Sequence, residues 1–169
     1  QVDGLELMLE AYSRGKGVIV LAPHLGNWEL VGLYLNACGC GQTSQLYQAP
    51  DSPALDKLIY KARSRAGGQM VATNNKGVGK LLQALRHGEV VGILPDQVPP
   101  ASGGEFAPFF GIPALTMTLA IRLQQKTGAR FVLAYARREE ESAGFRMVFR
   151  APPNDIYAEH MPEALAAMN

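Results

Sequence analysis

Short runs of apolar residues alternate along this chain with longer segments whose apolar residues recur at helical spacing. Residues 17–22, 43–48, 69–72 and 89–94 are predicted strands, because each run is short, apolar and bounded by glycine, proline or polar residues. The segments between them carry helical periodicity. This alternation is typical of an α/β domain, and we expect a mostly parallel central sheet flanked by helices.

The second half of the chain departs from this alternation. Residues 95–113 are rich in proline and are predicted to be one long loop, and a loop of that length is usually functional when it is ordered. A helix is predicted over 114–127. Strands over 130–136 and 145–150, joined by an acidic turn, then predict a C-terminal antiparallel hairpin.

The chain shows no internal repeat and no domain boundary before about Arg150, so residues 1–169 are predicted to be a single domain. It opens with Gln1 rather than Met and stops at Asn169 inside an alanine-rich, helix-like stretch. We therefore expect a fragment of a longer protein.

Charge and cysteine content exclude several classes of protein. The 16 Lys+Arg residues nearly balance the 15 Asp+Glu residues, and a net charge of +1 argues against a nucleic-acid partner. Cys38 and Cys40 are separated by one glycine; a bridge between them would be strained, and two thiols do not complete a zinc site. Free thiols in a reducing compartment are expected, which indicates the cytosolic side of a cell.

The most informative segment runs from Pro23 to Glu29, between the first buried strand and the next predicted helix. Ligands of open α/β sheets bind outside the carboxyl ends of the strands, and His24 lies at such an end. Gly26 and Asn27 supply a turn that could bring His24 and Glu29 together. Glu29 would then lie in the first turn of the helix, where exposed backbone N–H groups stabilise a carboxylate.

A histidine oriented by a carboxylate is suited to general-base catalysis. Its unperturbed pKa of about 6.5 leaves the imidazole largely neutral at physiological pH, and the carboxylate stabilises the imidazolium that forms. The chain contains no Gly-x-Ser-x-Gly nucleophile motif. The base should therefore activate a hydroxyl group of the substrate itself. Taken alone, however, a histidine in a loop and a glutamate at a helix start are common structural features.

Three sequence blocks in order carry a resemblance to a known family. Pro-His-Leu-Gly-Asn-Trp-Glu-Leu (residues 23–30) resembles the His-x4-Asp/Glu motif of the lysophospholipid acyltransferase superfamily, in the form seen in lipid A biosynthesis lauroyl/myristoyl acyltransferases. Leu-Pro-Asp-Gln (94–97) and Phe-Ala-Pro-Phe-Phe-Gly-Ile-Pro-Ala (106–114) are similar to the second signature of that branch. The resemblance extends from about residue 17 to residue 150 and implies a glycerolipid acyltransferase-like fold.

The resemblance implies an O-acyltransferase. His24 would deprotonate a hydroxyl of a lipid A precursor, Glu29 would orient His24, and the oxygen would attack an acyl-carrier-protein or acyl-CoA thioester, with no metal or other cofactor. It also implies a membrane surface as a partner, at the cytoplasmic face of a bacterial inner membrane. The N-terminal membrane-associated segment and the C-terminal end typical of the family would lie outside this chain.

Further residues are predicted to contact substrate. Asn27, Asp96 and Gln97 lie inside the motifs themselves. Arg65 and Lys76 belong to a stretch, residues 57–86, that holds seven Lys/Arg and no Asp or Glu. This cationic stretch could face acidic carrier protein or lipid phosphates, or be a solvated helix face. Asp96 could instead be a simple turn residue.

Phe109 and Phe110 are predicted to wall a tunnel for the acyl chain, with packing against the core as the alternative. Three other functions stay open on the sequence: acyl transfer to another glycolipid such as a phosphatidylinositol mannoside, thioester hydrolysis by the same His24–Glu29 pair, and non-catalytic binding of lipid or carrier protein. Release of free fatty acid without an acceptor would favour the hydrolase.

Overall fold

The computed structural model describes residues 1–140 and 144–169. The described residues form nine strands, which in chain order are β1 (Val2–Asp3), β2 (Val18–Leu21), β3 (Thr43–Tyr47), β4 (Gln69–Ala72), β5 (Val90–Ile93), β6 (Gly104–Phe109), β7 (Ile112–Met117), β8 (Arg130–Arg138) and β9 (Phe145–Arg150).

The same residues form six α-helices, which are α1 (Leu5–Ser13), α2 (Glu29–Ala37), α3 (Pro53–Arg63), α4 (Asn75–Arg86), α5 (Leu119–Thr127) and α6 (Met161–Met168). Short 3₁₀ turns cover Ser64–Ala66, Ala101–Gly103 and Asn154–Tyr157. In the part of the chain described, no helix combines the length and apolar character needed to cross a membrane.

Seven strands form one sheet in the order β1-β9-β8-β2-β5-β3-β4. All neighbouring pairs are parallel except β8 and β9, which pair antiparallel from Leu133↔Arg150 to Arg138↔Phe145. The predicted parallel α/β sheet and its C-terminal antiparallel hairpin are therefore confirmed. Residues 141–143, in the acidic turn predicted between these strands, lie outside the described residues.

Helices cover both faces of the sheet because the central strands are apolar on both sides. All four residues of β2 are fully buried, and those of β5 are buried as well. One face packs against α4, α5, α6 and Ala107 of β6, and the other against α1 and α2. A strand buried on both faces shows an unbroken apolar run, which is why β2 and β5 were predictable from sequence.

The prediction for residues 95–127 was partly wrong. Instead of one long loop and a helix from residue 114, the chain forms an antiparallel ribbon of β6 and β7 before α5 begins at Leu119. Pro108 and Pro113 lie opposite each other, and a two-stranded ribbon tolerates proline because both of its strands are edge strands. Phe110 and Gly111, with φ of 50° and 81°, form the two-residue turn.

Several segments meet at the carboxyl edge of the sheet, the edge where β2, β3, β4 and β5 end. The His24 loop follows β2, and Asp96 follows β5, its parallel neighbour. The β6–β7 ribbon also rises from this edge, because it follows β5 and leads into α5. That helix in turn runs back to the amino end of β8.

Gly77 and Gly79 of α4 allow a matched test of the close contact between this helix and the end of β4. A Cβ at Gly77 would lie 1.8 Å from the Ala72 carbonyl oxygen, whereas a Cβ at Gly79 meets nothing within 4 Å. We expect Gly77→Ala to lower the free energy of unfolding by at least about 2 kcal/mol through backbone displacement. Gly79→Ala should raise it by about 0.5–1 kcal/mol, since alanine favours the helix.

Chemical denaturation of the two variants beside the parent measures both effects. Equal stabilities for the two variants would contradict the close contact of α4 with the end of β4.

Candidate active site

Backbone contacts hold the loop that carries His24 against the C-terminal part of β8. Gly26 forms a parallel bridge with Ala136, and the Asn27 amide donates a 2.8 Å hydrogen bond to the Ala136 carbonyl oxygen. Gly26 has φ of 62°, and a Cβ there would lie 2.2 Å from that oxygen. Glycine is therefore required both by the left-handed conformation and by the close approach to β8.

Asp96 binds His24 through both carboxylate oxygens. The His24 backbone amide donates to Oδ2 at 2.8 Å, and the His24 ring nitrogen Nδ1 lies 2.9 Å from Oδ1. The side chains are 34% and 40% exposed, so the pair is accessible from solvent. The adjacent parallel strands β2 and β5 end side by side, and this brings residues 72 positions apart into contact.

The contacts with His24 lower the pKa of Asp96. Burial alone would raise the pKa of Asp96, but the hydrogen bonds from the His24 side chain and backbone outweigh burial and hold that pKa below its usual 3.8. A carboxylate accepts hydrogen bonds only, so Nδ1 carries the proton in this pair. In the neutral imidazole Nε2 is then unprotonated, and it is the ring nitrogen able to accept a proton.

Glu29 binds Arg63 rather than His24. The Arg63 Nε donates to both carboxylate oxygens of Glu29, at 3.2 and 3.0 Å, and Nη2 donates to Oε1 at 2.5 Å. The guanidinium of Arg63 also stacks on Trp28 and Tyr47, with its carbon 5.1 and 5.5 Å from the ring centroids. Two donors and two aromatic rings fix the position of this cation.

The predicted contact of His24 with Glu29 is therefore corrected. Across residues 1–140 and 144–169, the carboxylate that hydrogen-bonds His24 is that of Asp96. Trp28 has its ring centroid 5.1 Å from that of His24 and also stacks under Arg63, so it connects the two pairs. Glu29 points toward α3 because it begins α2, whose first turn faces that helix. A catalytic role for Glu29 stays a prediction.

The other predicted contact residues are spread over the fold. Asn27 is half-buried in the His24 loop, and Gln97 is exposed next to Asp96. Lys76, exposed at the start of α4, is on the same edge, but β4 is the third strand from β2, about 14 Å away. Arg65 is exposed in the 3₁₀ turn before β4, among the residues that lead to the opposite edge.

Phe109 and Phe110 lie at the tip of the β6–β7 ribbon. Phe110 is 92% exposed and Phe109 48% exposed, and their rings contact each other edge to face at 4.7 Å between centroids. The turn of the ribbon carries Phe110 away from the core, and the contact of these two rings with an acyl chain stays a prediction.

An α/β sheet with a histidine–carboxylate pair open at its carboxyl edge defines a domain suited to general-base chemistry on a bound ligand. Residues 1–169 match the family of bacterial lipid A biosynthesis acyltransferases, and the chain belongs to this family. The resemblance inferred from the sequence blocks is thereby confirmed.

Individual relatives are similar at a modest level of identity. The chain is 27% identical over 169 residues to the lipid A biosynthesis palmitoleoyltransferase of Escherichia coli, covering 99% of this chain and 54% of the relative. A lipid A biosynthesis acyltransferase of Haemophilus influenzae is 28% identical over 166 residues, which cover 98% and 51%. The E. coli lipid A biosynthesis myristoyltransferase is 27% identical over 155 residues, covering 91% and 47%. The chain spans about half the length of these relatives.

Arg63 was not among the residues predicted to form the site. It was counted within the cationic stretch, and no local spacing marks it, since Glu29 and Tyr47 reach it only through the arrangement of α2, β3 and α3. Asp96 was predicted to contact substrate, whereas its observed contact is with His24. The signal available for that contact was the position of both residues directly after buried strands.

The low pKa of Asp96 predicts how stability depends on pH. A carboxyl group with a lowered folded-state pKa contributes stability that is present above its ordinary pKa of 3.8 and lost as the pH falls through the lower folded-state value. Asp96→Asn should therefore be less stable than the parent at neutral pH, and the difference should shrink below pH 3.8. Denaturant unfolding across this range measures the difference.

Asp51→Asn, in an exposed loop, is the matched control and should show no such trend. A stability difference for Asp96→Asn that stays constant from neutrality to the acid range would contradict the charged hydrogen bonds to His24.

Proposed function

We propose that this domain transfers a fatty acyl chain from a thioester donor to a hydroxyl group of a lipid A precursor. The observation that carries the proposal is the His24–Asp96 pair, which leaves Nε2 available as a base at the open edge of the sheet. Membership of the lipid A acyltransferase family supports a lipid A precursor as the acceptor. The names of the relatives, which are palmitoleoyl and myristoyl transferases, support an acyl chain as the transferred group.

In the proposed reaction His24 Nε2 takes the proton of the acceptor hydroxyl while the oxygen attacks the thioester carbonyl. Asp96 holds the Nδ1 proton and stabilises the imidazolium that forms. The tetrahedral intermediate then expels the thiolate, which takes the proton from His24, so that an ester and a free thiol are the products. No enzyme nucleophile is needed, because the thioester is already activated.

The donor and the place of the reaction are further parts of the proposal. We infer an acyl-carrier-protein thioester as the donor, with acyl-CoA as the alternative, and action at the cytoplasmic face of a bacterial inner membrane. The cationic stretch from Lys57 to Arg86 supports an anionic partner, either carrier protein or lipid phosphate.

Glu29 and Arg63 have a positioning role in this scheme. Their bidentate pair fixes the start of α2 against α3, and Trp28 lies under Arg63 and contacts the ring of His24 edge to face. We propose that the Glu29–Arg63 pair orients His24 through Trp28, while Asp96 orients it directly. Direct polarisation of His24 by Glu29, as the sequence motif suggests, is the alternative, and the two assignments predict different mutant kinetics.

His24→Ala tests the proposed base. We expect the rate of acyl transfer to a lipid A precursor to fall by about 10²–10⁴-fold, the range of general-base contributions, with the fold unchanged. His160→Ala, an exposed histidine at the start of α6, is the matched control. The assay follows acylated lipid by mass spectrometry with an acyl-carrier-protein thioester as donor. Equal rates for His24→Ala and the parent would overturn the proposal, and acceptor-independent release of fatty acid would assign a thioesterase.

Comparing Asp96→Asn with Glu29→Gln separates the two carboxylates. Asn at position 96 cannot accept the same charged hydrogen bonds or stabilise the imidazolium, so we expect kcat to fall by at least about 10²-fold. Glu29→Gln should lower kcat by only about tenfold, because it weakens an ion pair that acts through Trp28. The steady-state kinetics of both variants decide the assignment: a larger loss for Glu29→Gln would return the orienting role to Glu29.

A further inference from the structure

Exposed apolar side chains concentrate at the edge of the sheet that carries His24. Of the eleven large hydrophobic residues exposed in the described part of the chain, nine lie on segments that follow the carboxyl ends of β2, β3 or β5. They are Leu25, Leu55, Leu58, Tyr60, Val98, Phe106, Phe109, Phe110 and Ile112. Exposed apolar side chains concentrated at one edge of a sheet mark a candidate interaction site.

The opposite edge of the sheet provides an internal comparison. The turns that enter β2, β4, β5 and β8 contain glycines, at positions that include Gly17, Gly68, Gly88 and Gly128. None of the exposed large hydrophobic residues of the described chain lies in these turns. The concentration of exposed large hydrophobic residues is therefore a property of the carboxyl edge and not of the loops of this fold in general.

Helix α3 lies along this edge and leaves an apolar stripe uncovered. Tyr47, the last residue of β3, donates a 2.6 Å hydrogen bond to Asp56 near the start of α3, and Glu29 binds Arg63 at its end. These contacts hold one side of the helix. Leu55 and Leu58 lie on another side, 46% and 66% exposed, and α3 contains no buried residue.

The β6–β7 ribbon supplies the second apolar element. Residues 106–121 contain no charged side chain, and Phe110 at the tip is 92% exposed with φ of 50°. Non-glycine residues in such conformations cluster at functional sites.

We propose that this carboxyl edge docks on an anionic lipid bilayer, with α3 lying in the head-group region and the tip of the ribbon inserted. This rests on the proposed function, because it would bring the hydroxyl of a bilayer-resident acceptor directly to His24.

Charge and backbone chemistry select the bilayer among possible occupants. Lys57 and Lys61 are exposed on α3, within the stretch that lacks any acidic residue, and they complement anionic head groups. A second copy pairing along the ribbon is disfavoured, because Pro108 and Pro113 remove backbone donors from both strands. An acidic carrier protein would match the lysines of α3 but leaves the uncharged aromatic tip unexplained.

Vesicle co-sedimentation tests the proposal, with vesicles of phosphatidylcholine alone or mixed with phosphatidylglycerol. We expect the protein to bind the mixed vesicles. Leu58→Ser and Phe110→Asn should each weaken binding about tenfold, because each variant removes an apolar side chain that is buried in the bilayer. Asn tolerates positive φ, so Phe110→Asn should keep the fold. Leu9→Ser, an exposed leucine of α1 away from this edge, is the matched control.

A charge series gives an independent measurement on the same vesicles. Lys57→Gln and Lys61→Gln each remove one positive charge, and each should weaken binding to the mixed vesicles by about fivefold. Lys126→Gln, exposed in the last turn of α5 near the amino edge, should have no effect.

Equal binding by the Leu58, Phe110 and Leu9 variants would overturn the proposal. So would concentration-dependent dimerisation abolished by Phe110→Asn, or binding of carrier protein in place of vesicles. His24→Ala should bind vesicles like the parent, which separates the two proposals. Vesicle binding without acyl transfer by the parent would refute the enzyme function alone, and transfer to detergent-dispersed acceptor without vesicle binding would refute the docking surface alone.

Discussion

The side-by-side endings of two parallel strands are the constraint on which the site depends. β2 and β5 pair in register from Val18↔Val90 to Leu21↔Ile93, so the chain leaves both strands at the same level. The His24 amide and ring can then both reach the carboxylate of Asp96. Both strands are buried on each face, and the close packing of this core holds the strand ends, and with them His24 and Asp96, in place.

Around this pair, several polar side chains of the carboxyl edge have partners, whereas many of its apolar side chains are exposed. Arg63 donates hydrogen bonds to Glu29, and the Tyr47 hydroxyl donates one to Asp56, so that polar contacts fix α2, β3 and α3 together. The apolar groups of the same edge are left uncovered on α3 and on the ribbon. The proposed acyl transfer requires both properties, since a base that deprotonates a lipid hydroxyl must be held in place while the surrounding surface accepts an amphipathic substrate.

Much of the fold could be predicted because local periodicity encodes burial. The apolar runs of β2 and β5, the helices between the strands and the β8–β9 hairpin follow from such patterns. The β6–β7 ribbon could not be predicted in this way. Its proline-rich neighbourhood is typical of a loop, and only the pairing of Pro108 with Pro113 on two edge strands makes a ribbon compatible with those residues.

The sequence by itself determined the α/β class, the position of His24 after a buried strand and the family resemblance, because each depends on residues close together in the chain. The tertiary structure decided which carboxylate binds His24, which cation binds Glu29 and which side chains stay uncovered at the carboxyl edge. Those outcomes depend on strand order and helix placement. Strand order places Asp96, 72 residues away, closer to the imidazole than spacing along the chain could indicate.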